Sequence, residues 1–129
     1  MIEMNFTWNG EAFEGEFNYG NLTVSGDETK GFRPFQLMVS SIAVCSASVL
    51  RQVLEKQRMT VTELSVDADV TRDESKANRI SAIALHYTIK GEELNADKVE
   101  KAVKVAAKNC PMAQTVEGVV ELTETFEIV

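Results

Sequence analysis

The sequence has only two cysteines and one histidine, and this shortage excludes several classes of site. Its two cysteines and one histidine are poor material for a zinc site. It also has no glycine-rich phosphate loop and no set of serine, histidine and aspartate in recognisable context. We therefore expect no metal and no cofactor. Any thiol chemistry must use Cys45 and Cys110.

Membrane and targeting signals are also missing from the sequence. No run of about 18 apolar residues occurs, and residues 1–5 lack the basic flank and apolar stretch of a signal peptide. The net charge of −7 would repel a polyanion such as nucleic acid. We expect a soluble cytoplasmic protein that binds neither membranes nor nucleic acid. In that reducing compartment a lasting disulfide is the weaker interpretation.

The first third of the chain predicts short strands followed by a helix. The length of 129 residues and the 44% hydrophobic content suit one domain over residues 1–129. Apolar residues alternate at 2–8, 13–19 and 22–24, with Asn-Gly and Gly-Asn turn dipeptides between them. Pro34 suits the first turn of a helix, which the apolar pattern extends to about Lys56.

The rest of the chain predicts a hairpin, a second helix and a closing strand. Alternation at 64–70 and 83–89 indicates a long hairpin with a polar connection at 72–78. Asn95 can cap a helix over residues 96–108, a short helical turn follows Cys110-Pro111, and residues 120–128 form the last strand. The predicted order is β-β-β-α-β-β-α-β, an α+β fold. His86 is interpreted as a surface or sheet-packed residue without a role.

The two cysteines have different predicted environments. Cys45 lies inside the long apolar helix, where a free cysteine is often only a small core residue. Cys110 stands where an N-cap would be if Pro111 begins a helix, and the N–H groups there would stabilise a thiolate. By position alone Cys110 is therefore the more acidic thiol, while the reactivity of both cysteines stays open.

Several residues together resemble a known family. The small residues that precede Cys45 in the long helix and the later Cys110-Pro111 both contribute to the likeness, and so does the run Gly31-Phe32-Arg33-Pro34-Phe35-Gln36-Leu37. In these features the whole chain resembles the OsmC-like family, which includes the organic hydroperoxide resistance proteins. The resemblance implies an OsmC-like fold, with antiparallel sheets wrapped around central helices in an intertwined homodimer.

The resemblance also implies a reaction. In the peroxidase members the first cysteine attacks the O–O bond of an organic hydroperoxide, and the second cysteine then closes a disulfide that an external dithiol reduces. Cys45 would be the peroxidatic residue and Cys110 the resolving one. A second thiol is needed because an isolated sulfenic acid can be over-oxidised.

The sequence departs from the family pattern at two supporting groups. Peroxidase members carry an arginine in the N-terminal strands and a glutamate just after the proline, whereas here no arginine precedes Arg33 and the candidate for the glutamate position is the uncharged Gln36. Arg33 would lie roughly 18 Å from Cys45 along a straight helix, so it could help only through a bend or from the other subunit. Arg51 falls on a different face of the helix from Cys45.

Three functions remain open on these grounds. The first is a thiol peroxidase for small organic hydroperoxides, with Phe35, Met38 and Met112 as apolar pocket walls or as ordinary core residues. The second is a redox sensor or small-molecule-binding dimer with weak or no peroxidase activity. The third is a ligand-binding or purely structural dimer whose cysteines are inert because they lie too far apart to bridge. Whether the protein is an enzyme is thus undecided by sequence.

Overall fold

The structure of the protein, a computed structural model, describes residues 3–129. These residues form two compact units, one ending at Met38 and the other comprising Val39–Val129. Ile2, which the sequence placed in the first strand, lies outside the described residues. That residues 1–129 form a single domain stays a prediction.

The N-terminal unit contains a small antiparallel sheet of three strands. The strands are β1 (Phe6–Trp8), β2 (Phe13–Glu16) and β3 (Asn21–Val24), with β2 in the centre. They are shorter than the alternation predicted, because the chain turns directly after β2, where the Phe17 N–H donates to the Gly20 carbonyl at 3.0 Å. The three predicted strands are therefore present, and the outer residues of the pattern belong to turns and loops.

Helix α1 runs over Pro34–Lys56, as the sequence predicted. By length and apolar composition alone this helix could cross a membrane, a test that the core helix of a soluble protein also passes. A row of buried residues along α1 fits a core helix with one side packed. These residues are Val39, Ile42, Ala43, Ser46, Leu50 and Leu54.

The second unit contains a longer sheet of three strands, β4 (Thr60–Asp73), β5 (Arg79–Glu92) and β6 (Glu121–Ile128). A single 3-10 turn, Glu74–Lys76, joins β4 to β5 in the predicted antiparallel hairpin. Strand β6 pairs with β5 in parallel, so this sheet is mixed and not wholly antiparallel as expected. The reason is the connection between them, which carries the chain back along the sheet through helices.

One glycine permits a close approach within the hairpin. The pairing of β4 and β5 shifts between Val61 and Glu63, and Gly91 lies opposite Val61. A Cβ atom at Gly91 would collide with the Thr60 carbonyl oxygen. Glycine in a strand often marks such a contact between two backbones.

Helices α2 (Ala96–Asn109) and α3 (Pro111–Thr115) form the connection between β5 and β6. The Asn95 side chain caps α2 as predicted, accepting from the Lys98 N–H at 3.1 Å. Buried residues of α2 join those of β5 in the core of the second unit, and Cys110 at the junction of α2 and α3 is buried with them. The core residues from these two elements are Val99, Ala102, Val103, Ala106, Ile80, Ile83, Leu85, Tyr87 and Ile89.

Candidate functional site

The structure brings the two cysteines together. Cys45 lies near the middle of α1 and Cys110 lies between α2 and α3, and both are free thiols. Their sulfur atoms lie close enough for each thiol to change the pKa of the other. Cys110 has no exposed surface, whereas Cys45 is partly exposed. The site is therefore a dithiol with one accessible and one enclosed sulfur.

The local backbone conformation directs the Cys110 sulfur toward the first N–H groups of α3. Cys110 has an extended backbone conformation, with φ −82° and ψ 112°, which ends α2 and lets the side chain turn toward the following residues. Its Sγ accepts the Ala113 N–H at 3.3 Å. The Met112 N–H lies close enough to both cysteine sulfurs to lower the pKa of each thiol. Pro111 fits the intervening position because no N–H is needed there.

The two thiols differ in acidity. Burial raises the pKa of Cys110, but the neighbouring Cys45 thiol, the nearby Ser46 hydroxyl and the Ala113 and Met112 amides outweigh it and hold that pKa below its ordinary value. Burial and the hydrogen bond to Cys110 raise the pKa of Cys45. The first proton therefore leaves Cys110, and the Cys45 thiol donates to the resulting thiolate. The position of Cys110 directly before Pro111 had predicted that Cys110 is the more acidic of the two thiols.

Ser46 lies beside the dithiol. It follows Cys45 in α1 and is fully buried, and its Oγ makes no well-formed hydrogen bond with any residue in the 3–129 range. The hydroxyl nevertheless lies close enough to the Cys110 sulfur and the Tyr87 oxygen to lower the pKa of both groups. Ser46 thus links the dithiol to a tyrosine in the core.

Tyr87 and Glu124 form the next pair of this polar group. The Tyr87 hydroxyl donates to a Glu124 carboxylate oxygen at 2.8 Å. Burial, followed by the Glu124 charge, raises the pKa of Tyr87 well above its ordinary value. Burial also raises the pKa of Glu124, and the hydrogen bond from Tyr87 opposes it.

Ser46, Tyr87 and Glu124 are not among the site residues that the sequence predicted, although one signal for them was present. In β6 the positions that face inward alternate, and Glu124 stands at such a position between Leu122 and Phe126. A carboxyl in an apolar series requires a polar partner. The hydroxyl of Tyr87, a buried residue of the neighbouring strand β5, supplies that partner.

Most of the other predicted site residues belong to the N-terminal unit. The Arg33 guanidinium lies over the Phe35 ring, 4.7 Å from its centroid. Gln36 and Met38 are exposed positions in the first turns of α1. A role for these four residues at the dithiol stays a prediction. In the second unit, the Met112 amide lowers the pKa of both cysteines, and the Met112 side chain is exposed.

Neither the remaining acidic residues nor the histidine adds a metal site. Within residues 3–129 no three of the histidine, cysteine, aspartate and glutamate side chains are arranged to hold a metal ion. His86 lies on the surface of the sheet, where its ring nitrogens contact Thr125 Oγ1 at 2.7 Å and Glu127 Oε1 at 3.3 Å. His86 thus lies on the sheet, partly exposed, within the two placements that the sequence had left open.

Comparison with known proteins gives consistent matches over most of the chain. The family described as OsmC-like protein matches residues 26–125. Protein YhfA of Escherichia coli is 29% identical over 125 residues, which cover 93% of this chain and 92% of that protein. The organic hydroperoxide resistance protein OhrA of Bacillus subtilis is 30% identical over 95 residues, covering 73% and 66% of the two chains.

A solved structure shares the fold as well. The organic hydroperoxide resistance protein OsmC from Legionella pneumophila superposes with a TM-score of 0.74 at 22% identity, over 98% of both chains. The predicted α+β fold and its resemblance to this family are confirmed. From the match over residues 26–125 and the shared fold, the chain belongs to the OsmC-like family.

Proposed function

We propose that this protein is a thiol-dependent peroxidase that reduces small organic hydroperoxides in oxidative stress defence. The observation that carries the proposal is the closeness of the Cys45 and Cys110 thiols, each of which changes the pKa of the other, since two neighbouring thiols can be oxidised to a disulfide. The name of the related OhrA, an organic hydroperoxide resistance protein, supports this choice of substrate class.

Accessibility supports Cys45 as the attacking thiol. A peroxide must reach the sulfur that it oxidises, and Cys45 is partly exposed whereas Cys110 is enclosed. Acidity favours the opposite assignment, because the thiolate forms first at Cys110. Both observations are satisfied if the Cys110 thiolate serves as the base for Cys45. A neighbouring thiolate would then do part of what the arginine and glutamate do in other members.

The first half of the reaction consumes the hydroperoxide. The Cys110 thiolate takes the Cys45 proton while the Cys45 sulfur attacks the terminal oxygen of ROOH. An S–O bond forms and the O–O bond breaks, leaving a Cys45 sulfenic acid and an alkoxide. The alkoxide takes the proton from Cys110 and leaves as the alcohol.

The second half closes the disulfide. The regenerated Cys110 thiolate attacks the Cys45 sulfur, an S–S bond forms, and hydroxide leaves and is protonated to water. The peroxide has gained two electrons and the two cysteines have lost them. An external dithiol then reduces the disulfide to restore both thiols. No metal or cofactor takes part in these steps.

The surroundings proposed for this reaction are an apolar pocket and a second subunit. Phe35, Met38 and Met112 would form pocket walls that favour an alkyl or aryl chain. Val44 on α1 is 61% exposed, and a large apolar residue at that level on a central helix suits contact with a second copy of the chain. We propose a soluble cytoplasmic homodimer with the α1 helices inside.

The intact mass of the reduced protein after stoichiometric tert-butyl hydroperoxide tests the reaction. The wild type should lose two hydrogens. Cys110→Ser should gain one oxygen at Cys45, more slowly than the wild type reacts because the Cys110 base is missing. Cys45→Ser should stay unchanged in mass because its remaining thiol is enclosed. If the wild type keeps its mass, the cysteines are inert and the proposal fails.

A redox sensor is the second candidate, supported by one observation. Burial and hydrogen bonds are the main influences on the pKa of the two thiols, and no basic side chain from residues 3–129 is among those influences. Without a cation the attack on peroxide is expected to be slow. Disulfide formation at stoichiometric peroxide without sustained turnover in the presence of a dithiol would favour the sensor.

A further inference from the structure

The buried hydroxyl of Ser46, beside the dithiol, has no well-formed hydrogen bond within residues 3–129. Ser46 is fully buried in α1, and among the side chains of residues 3–129 its Oγ is the buried oxygen or nitrogen that lacks a well-formed hydrogen bond. Buried polar groups are nearly always paired, so an unpaired one calls for an explanation. The surroundings of Ser46 provide one.

Two acceptors compete for the Ser46 hydrogen. The Ser46 hydroxyl lies close enough to the Cys110 sulfur and to the Tyr87 oxygen to lower the pKa of both groups. The hydrogen of Tyr87 is already donated to Glu124 at 2.8 Å, so Tyr87 can only accept from Ser46. A serine hydroxyl has one hydrogen to donate and can rotate without backbone movement. One hydrogen is therefore available for two acceptors.

We propose that Ser46 is a positioning residue whose hydroxyl turns from the Tyr87 oxygen to the Cys110 sulfur when Cys110 loses its proton. A hydrogen bond to a charged acceptor is about twice as strong as one to a neutral acceptor, which sets the direction of the turn. Glu124 holds Tyr87 in its accepting orientation. When Cys110 is protonated, the hydroxyl returns to Tyr87.

This inference rests on the proposed function only for its effect on turnover. In the proposed reaction the Cys110 thiolate receives the Cys45 proton and later attacks the sulfenic acid. A donor that follows the charge on Cys110 stabilises the thiolate in both steps without blocking the intervening protonated state. Ser46→Ala should therefore lower kcat/KM for hydroperoxide about tenfold.

The test is a titration of Cys110 in a Cys45→Ala background, followed by the NMR shift of the cysteine Cβ. Ser46→Ala should move ionisation to higher pH, reducing the thiolate fraction at neutral pH about tenfold. Tyr87→Phe removes the competing acceptor and should move ionisation to lower pH. The double variant should titrate like Ser46→Ala alone, because Tyr87 acts through Ser46.

Ser46→Ala and Tyr87→Phe should shift the ionisation of Cys110 in opposite directions, and this difference distinguishes the proposed role from a general loss of packing. Ser48→Ala, at an exposed position two residues along the same helix, is the matched control and should titrate like the background. The proposal is overturned if Ser46→Ala matches that control, or if Ser46→Ala and Tyr87→Phe shift in the same direction. Should Ser46→Ala fail to fold, a Tyr87→Phe titration that stays in place or moves to higher pH overturns it alone.

The titration uses no peroxide, so it is independent of the enzymatic activity. If the wild type fails to form a disulfide with hydroperoxide but the titrations shift as expected, the proposed function fails and the role of Ser46 stands. If turnover is normal and Ser46→Ala titrates like the control, the role of Ser46 fails alone.

Discussion

Tyr87 and Glu124 form a hydrogen bond of 2.8 Å between neighbouring parallel strands, with the tyrosine hydroxyl as donor. Both side chains occupy positions that the alternation of their strands directs inward. Burial therefore raises the pKa of Glu124, although the tyrosine stabilises its charged form. The pair carries a pH-dependent contribution to stability.

Glu124→Gln should remove that contribution. Because the pKa of Glu124 is raised above its ordinary value of 4.5, the folded protein binds more protons at this site than the unfolded chain does. The stability contributed by Glu124 is present below 4.5 and is lost as the pH rises through the raised pKa. The free energy of unfolding of Glu124→Gln, relative to wild type, should therefore increase from acidic to neutral pH.

Urea unfolding at a series of pH values measures this difference. Glu121→Gln, at an exposed position on the same strand, is the matched control and should not reproduce the trend. A difference between Glu124→Gln and wild type that stays flat, or falls with pH, would contradict the raised pKa.

Cys110→Ser should make the protein sensitive to excess hydroperoxide. Without the second thiol the Cys45 sulfenic acid persists and can be oxidised further to the sulfinic acid, whereas the wild type stops at the disulfide. Intact mass after a tenfold peroxide excess should show two added oxygens on the variant and the loss of two hydrogens on the wild type. A variant whose Cys45 gains one oxygen and no second one would contradict the role of Cys110 as the protecting, resolving thiol.

Val44→Asp should weaken the proposed homodimer. A charge at an apolar position of α1 would be buried without a partner in the dimer but is harmless if the residue faces solvent. Sedimentation should show a dimer for the wild type and a lower mass for the variant. Val105→Asp is the matched control, because Val105 is also an exposed valine but lies on α2. A dimeric Val44→Asp would exclude this residue from the interface.

Gly91→Ala should destabilise the second unit. The added Cβ would collide with the Thr60 carbonyl oxygen, and relief requires the two strands to move apart. We expect a loss of about 2 kcal/mol in the free energy of unfolding. Gly26→Ala is the control, because a Cβ there meets no atom within 4 Å. Similar unfolding midpoints for the two variants would contradict the predicted collision.

Much of the fold could be predicted because local signals mark it. Pro34 and the return of charged residues near Lys56 bound α1, and Asn95 bounds α2. The direction of β6 could not be predicted, since alternating side chains are the same in parallel and antiparallel strands. The lengths of β4 and β5 exceeded the prediction because their pairing continues through irregular registers at both ends.

The site was predictable only in part. Each cysteine stood out through its neighbours in sequence, but their contact depends on packing between α1 and the turn after α2, and no local pattern encodes it. Only the resemblance to the family suggested that contact. Ser46 gave no signal, because small residues in a buried helix usually serve packing alone. Glu124 gave one, since its carboxyl interrupts an apolar series.

The difference in exposure between the sulfurs also determines how the proposed disulfide would be reopened. A reducing thiol from solvent can reach Cys45 but not Cys110, so the mixed disulfide with the reductant would be attached at Cys45. Cys110 would then depart as the thiolate that its hydrogen bonds already favour, and a more acidic thiol leaves faster. The enclosed sulfur would thereby fix the direction of the exchange.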